Sequence, residues 1–101
     1  MIKERNEDNI IIATFENGKY NTITTETLLQ IRDLVKRVTE DDALKGIVFT
    51  GNGRTYCSGF DLPTFLGFKE LKDAVAFFDL AEPVFMEVFM CPKAVIAAIN
   101  G

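Results

Sequence analysis

Two short runs of apolar residues decide what this chain can become. Lys45-Gly46-Ile47-Val48-Phe49-Thr50 and Ala94-Val95-Ile96-Ala97-Ala98-Ile99 carry almost no polar alternation. A strand reads this way when its sheet is covered on both faces, whereas a half-exposed strand alternates apolar with polar. Each run follows a stretch with helical periodicity. Before the first, Leu28, Ile31, Leu34, Val35 and Val38 recur at three- and four-residue steps, with Arg32, Asp33, Lys36, Arg37 and Glu40 between them. The pattern predicts an amphipathic helix of roughly 15 residues, capped by Thr24 or Thr25 with Glu26 in its first turn. The Asp41-Asp42 pair ends it. Strands alternating with helices imply a layered α/β fold with parallel pairing.

The flanking segments fill in this scheme. Asn9-Ile10-Ile11-Ile12-Ala13-Thr14-Phe15 is a β-branched run, and Asn17-Gly18 after it is a turn signal because both residues tolerate positive φ. A strand, a turn and a returning chain are expected there, and residues 1–8 read as a charged stub. A second long helix is expected over roughly residues 69–90, kinked or divided at Pro83. The chain stops at Asn100-Gly101, directly after a strand that reads as central. A buried strand needs neighbours on both edges, so this reads as part of a larger fold, or as one completed by another copy.

Composition removes several classes of function. The chain has 101 residues, a net charge of −4 and no histidine, which excludes Ser-His and Cys-His catalysis and imidazole metal sites. Lys and Arg are not clustered, so the electrostatic footprint of a nucleic-acid binder is missing. Residues 74–99 are apolar but interrupted by Asp79, Glu82, Pro83, Glu87, Pro92 and Lys93, and no membrane span is expected. Cys57 and Cys91 lack a second pair for a zinc site, so no metal is expected. The charged start has no apolar signal core, and the two thiols read as reduced in a cytoplasmic protein.

The glycine-rich segment Gly51-Asn52-Gly53-Arg54-Thr55-Tyr56-Cys57-Ser58-Gly59-Phe60-Asp61-Leu62 is where chemistry is expected. It is not a P-loop, because no Gly-Lys-Ser/Thr ending follows. It is not a dinucleotide fingerprint either, because Tyr56 stands where the third glycine belongs. By spacing alone it is a strand-to-helix connection.

Its residues, however, resemble the signature loop of the crotonase superfamily, the enoyl-CoA hydratase/isomerase family. Members show an apolar strand, Thr-Gly, a few polar residues and then Phe-(Cys/Ser)-(Ala/Ser)-Gly-X-Asp-Leu. Cys91-Pro92-Lys93-Ala94-Val95-Ile96-Ala97-Ala98-Ile99-Asn100-Gly101 is similar to the family's Lys-Pro-Val-Ile-Ala-Ala-Ile-Asn-Gly strand, and Asn21 stands where members often have Asn-Ala-Leu. The resemblance covers essentially the whole chain. It implies a crotonase-like (ClpP/crotonase) layered α/β fold of repeated ββα units, present only in part. Residues 1–101 would be the N-terminal portion, ending before the second oxyanion-hole segment and the catalytic carboxylates.

The resemblance further implies an enzyme acting on an acyl-CoA thioester, whose enolate is stabilised by two backbone N–H groups. The first donor maps onto the N–H of Phe60. Cys57, Ser58, Gly59, Phe60, Asp61 and Leu62 are the expected CoA and substrate contacts. Coenzyme A enters as part of the substrate, and no separate cofactor is implied. Members assemble as trimers or hexamers. Phe60 is bulkier than the usual alanine or glycine, yet its role needs only main-chain N–H. Asp61 reads as ordering the loop or capping the next helix. Cys57 has no base beside it and is read as packing. Lys19 and Arg54 either meet CoA phosphates or are simply solvated; Phe65, Phe68, Phe77 and Phe78 either line an acyl tunnel or pack the core. With no general base assigned, residues 1–101 alone are expected to be inactive. The other readings are a CoA-binding fragment and an oligomerising fragment, both without catalysis.

Overall fold

The computed structural model describes residues 1–101. Two strands, β1 (Ile2–Glu7) and β2 (Ile10–Phe15), form a hairpin that leads into helix α1 (Thr25–Glu40). Strand β3 (Gly46–Gly51), the short helix α2 (Leu62–Leu66), the long helix α3 (Leu71–Phe89) and strand β4 (Ala94–Ala98) follow. The sheet has the order β1-β2-β3-β4. β1 and β2 are antiparallel, whereas β2–β3 and β3–β4 are parallel, with Ile11 beside Ile47 beside Val95.

The hairpin differs from the sequence expectation. Residues 1–8 are not a stub, because Ile2–Glu7 pairs along the whole of β2. The turn is made by Asp8 and Asn9, at φ 51° and 68°, the left-handed conformation that these two residue types tolerate. Asn17-Gly18 does turn the chain, but no returning strand follows it. Two contacts draw β1 inward. Ile2 is buried and its N–H donates to Gln30 Oε1 at 2.9 Å, while Arg37 Nη2 reaches Glu4 Oε2 at 2.6 Å. The hydrogen bond to Glu4 holds the Arg37 guanidinium above its ordinary pKa.

α1 forms as its period dictates. Thr24 is the N-cap, its side chain accepting from the Thr27 N–H, and the apolar stripe from Leu28 to Val38 is buried. This stripe meets one face of the sheet, where Ile11, Ala13, Phe15, Ile47 and Phe49 point, and α3 adds Phe77, Ala81 and Val84. Pro83 lies inside α3 without dividing it.

The other face of the sheet is more exposed. Ile12, Val48 and Ile96 stand side by side there; the first two are half-buried and Ile96 is 55% exposed. No helix of residues 1–101 packs against that face, so the apolar runs are covered on one side only. β4 is an edge of the sheet, with β1 at the other. No helix is long and apolar enough to cross a membrane.

Candidate active site

The glycine-rich loop leaves β3 at Gly51 and reaches α2 at Leu62. Its second half runs beside residues 20–23 as a parallel pair of extended segments. Ser58 N–H donates to Tyr20 O at 3.1 Å, Ile23 N–H to Gly59 O at 2.8 Å, and Asp61 N–H to Ile23 O at 3.0 Å. In an extended chain successive N–H groups point to opposite edges. The bonds made by Gly59 and Asp61 therefore turn the Phe60 N–H away from Ile23, and it has no acceptor within the chain. Gly59 makes this path possible at φ 106°, a backbone angle that a side chain strains.

Asp61 is fully engaged in the fold. One carboxylate oxygen accepts from Thr22 Oγ1 at 3.0 Å. The other caps α2, accepting from the Thr64 N–H at 3.2 Å and Thr64 Oγ1 at 3.1 Å. The capping role expected of Asp61 is thus present. α2 itself was missed; Asp61 followed by Pro63 in the first turn is the signal that could have found it.

An open groove of about 630 Å³ is lined by Ser58, Phe60, Asp61, Leu62, Lys19, Tyr20 and their neighbours. Lys19 is its cation, with Nζ 5.5 Å from the Tyr20 ring centroid. Arg54 does not line it. Cys57 faces elsewhere: it forms the wall of a separate apolar cavity of about 230 Å³ with Tyr56, Phe15, Ile23, Phe49 and others, and it packs against the core. Burial, reinforced by neighbouring Cys57, raises the Tyr56 phenol above its ordinary pKa. Both cysteines are free thiols. Of the six expected contact residues, the structure brings Ser58, Phe60, Asp61 and Leu62 to one groove, puts Gly59 in the backbone between them and turns the Cys57 side chain inward.

The phenylalanines form one cluster. The Phe60 ring lies 5.3 Å from Phe77 and 5.8 Å from Phe65, both edge-on, with Phe78 and Phe85 beyond. Phe77 is buried and Phe65 and Phe68 pack against the core, so these rings pack the space between α2 and α3.

A ββα unit feeding a parallel sheet, with a glycine loop crossing from β3 to the helices, is the architecture of the crotonase fold. Pseudomonas aeruginosa DspI superposes with a TM-score of 0.91 at 24% identity, over 99% of this chain and 41% of that one. The enoyl-CoA hydratase of Bacillus anthracis does so with a TM-score of 0.90 at 21% identity, over 99% of this chain and 40% of that one. These likenesses establish the fold. Residues 5–101 match the family model described as enoyl-CoA hydratase/isomerase, and the chain belongs to that family. Among curated relatives, a probable enoyl-CoA hydratase, echA12 of Mycobacterium leprae, is 31% identical over 90% of this chain and 33% of its own length. The crotonyl-CoA hydratase of Syntrophomonas wolfei is 30% identical over 100% of this chain and 39% of its own. The chain thus spans about a third of the length of the curated relatives it matches.

Proposed function

We propose that this protein takes part in enolate chemistry on an acyl-CoA thioester, of the hydratase or isomerase type, with the Phe60 N–H as one donor of the oxyanion hole. The observation that supports this is the orientation of that N–H: the bonds flanking it leave it unbonded, at a residue that lines an open groove. A preorganised donor is worth a few kcal/mol to a developing oxyanion, because it need not reorganise when charge appears. Cys57, Ser58, Gly59, Asp61 and Leu62 would contact the CoA portion through the loop, with Lys19 at the groove as a charge for its phosphates. On this reading residues 1–101 are the N-terminal part of a crotonase-like domain. The second donor and the acid–base carboxylates come from further chain, no cofactor beyond the CoA moiety is needed, and trimer or hexamer formation belongs to the complete domain.

One observation favours a second reading for residues 1–101 by themselves, namely CoA binding without turnover. Asp61 is the one carboxylate lining the groove, and both its oxygens are already committed to Thr22 and Thr64. Hydration needs a positioned acid–base group.

Titration of crotonyl-CoA into the 15N-labelled chain tests the proposal. The expected result is saturable binding with the Phe60 amide proton moving downfield, and restored crotonyl-CoA hydration when the remaining segment of a family domain is refolded with it. Binding without restored hydration would select the second reading. No response at residues 58–62 would overturn both.

A further inference from the structure

Asn21 is fully buried, with 0% exposure, and sits at φ 47° in the left-handed region. A buried carboxamide must satisfy two N–H donors and an acceptor oxygen, or its burial is strongly unfavourable. Asn21 satisfies all three. Its Nδ2 donates to Thr55 O at 2.7 Å and to Asn52 O at 3.1 Å, and its Oδ1 accepts the Asn17 N–H at 3.0 Å. One side chain therefore ties the turn at residues 17–21 to the first half of the glycine-rich loop.

The consequence lies one residue on. Residues 20–23 are the rail against which residues 58–61 are held, through Tyr20 O, the Ile23 N–H and O, and Thr22 Oγ1. Asn17 steadies the same rail, its Nδ2 donating to Thr22 O at 2.6 Å. We infer that Asn21 is the positioning residue for Phe60: by locking the rail to the loop carbonyls it sets where residues 58–61 lie and hence where the Phe60 N–H points. This rests on the reading of that N–H as an oxyanion donor.

Residue-resolved hydrogen exchange of the full chain tests it without any thioester, so its failure is separate from failure of that reading. Asn21→Gly keeps the left-handed backbone and deletes the carboxamide. The expected result is exchange at the Ser58, Ile23 and Asp61 amides accelerated by about tenfold or more, the scale of losing the three hydrogen bonds of a buried carboxamide. The β2–β3 amides keep their wild-type protection, and the Phe60 amide resonance shifts. Unchanged rates at the rail, or a proportional loss at every amide, would overturn the inference. Should Asn21→Gly not fold, Asn21→Asp carries the same test, since it keeps the shape and the acceptor for Asn17 but cannot donate to the two carbonyls. Selective acceleration at the rail supports the inference. Wild-type rates or uniform loss in that variant overturns it.

Discussion

Asn100 and Gly51 are bound to each other twice. The Asn100 Nδ2 donates to Gly51 O at 2.8 Å, and its Oδ1 accepts the Gly51 N–H at 3.0 Å. The same Nδ2 also donates to Gly53 O at 2.9 Å. The residue two positions beyond β4 thereby holds the start of the glycine-rich loop, while Asn21 holds Asn52 and Thr55. Two carboxamides, distant in sequence, fix one loop.

The tightness of this junction predicts the effect of Gly51→Ala. A Cβ there would collide with the Thr55 carbonyl oxygen and approach Tyr56 Cα at 2.6 Å, and both are backbone atoms that cannot swing aside. The loss of stability in chemical denaturation is expected at about 2–3 kcal/mol, the scale of forced overpacking. Asn100→Ala, which removes solvent-accessible hydrogen bonds, is expected to lose about 1 kcal/mol.

Asp61 separates structure from chemistry. Asp61→Ala removes the α2 cap and the Thr22 bond, and about 1–2 kcal/mol of stability should go with them. Asp61→Asn keeps an acceptor oxygen for Thr64 and should retain more than half of that. Both are read from urea denaturation midpoints. Equal losses in the two variants would count against the capping role.

Tyr56 gives a pH dependence with a definite sign. Burial raises its folded pKa above the ordinary value of 10.0, which the unfolded chain keeps. Above that pH the unfolded chain has released a proton that the folded chain still holds, so stability falls as pH rises. Below it the contribution is fully present. In Tyr56→Phe, which keeps the ring edge-on to Phe15 at 5.7 Å, stability between pH 10 and the folded pKa should decline less steeply than in wild type. Thermal unfolding in a series of alkaline buffers checks this.

The phenylalanine cluster separates core from surface. Phe77 is 6% exposed and touches Phe60, Phe65, Phe68 and Phe78, so Phe77→Ala should lose about 3–5 kcal/mol through the cavity it leaves. Phe78 is 39% exposed, and Phe78→Ala should lose about 1–2 kcal/mol. Comparable losses in equilibrium denaturation would mean that the two faces of α3 are covered alike.

What the sequence determined by itself was local or periodic. The stripe from Leu28 to Val38 and the cap at Thr24 specify α1 within one or two residues, since each signal lies within a few positions of its partner. The runs at β3 and β4 are legible for the same reason, and the loop at residues 51–62 carries the family resemblance in its local sequence. Asp8-Asn9 and Asn17-Gly18 are both good turns, and local sequence does not choose between them for the hairpin. Only burial of Ile2 and its bond to Gln30, 28 positions away, favours the first. The tertiary structure alone decided that the Cys57 side chain turns from the groove into an apolar cavity, that one face of the sheet is open, and that Asn21 and Asn100 meet at one loop. Those hydrogen bonds span 31 to 49 residues, and their donors and acceptors face each other only after the sheet has formed. No periodicity or local propensity encodes such a meeting.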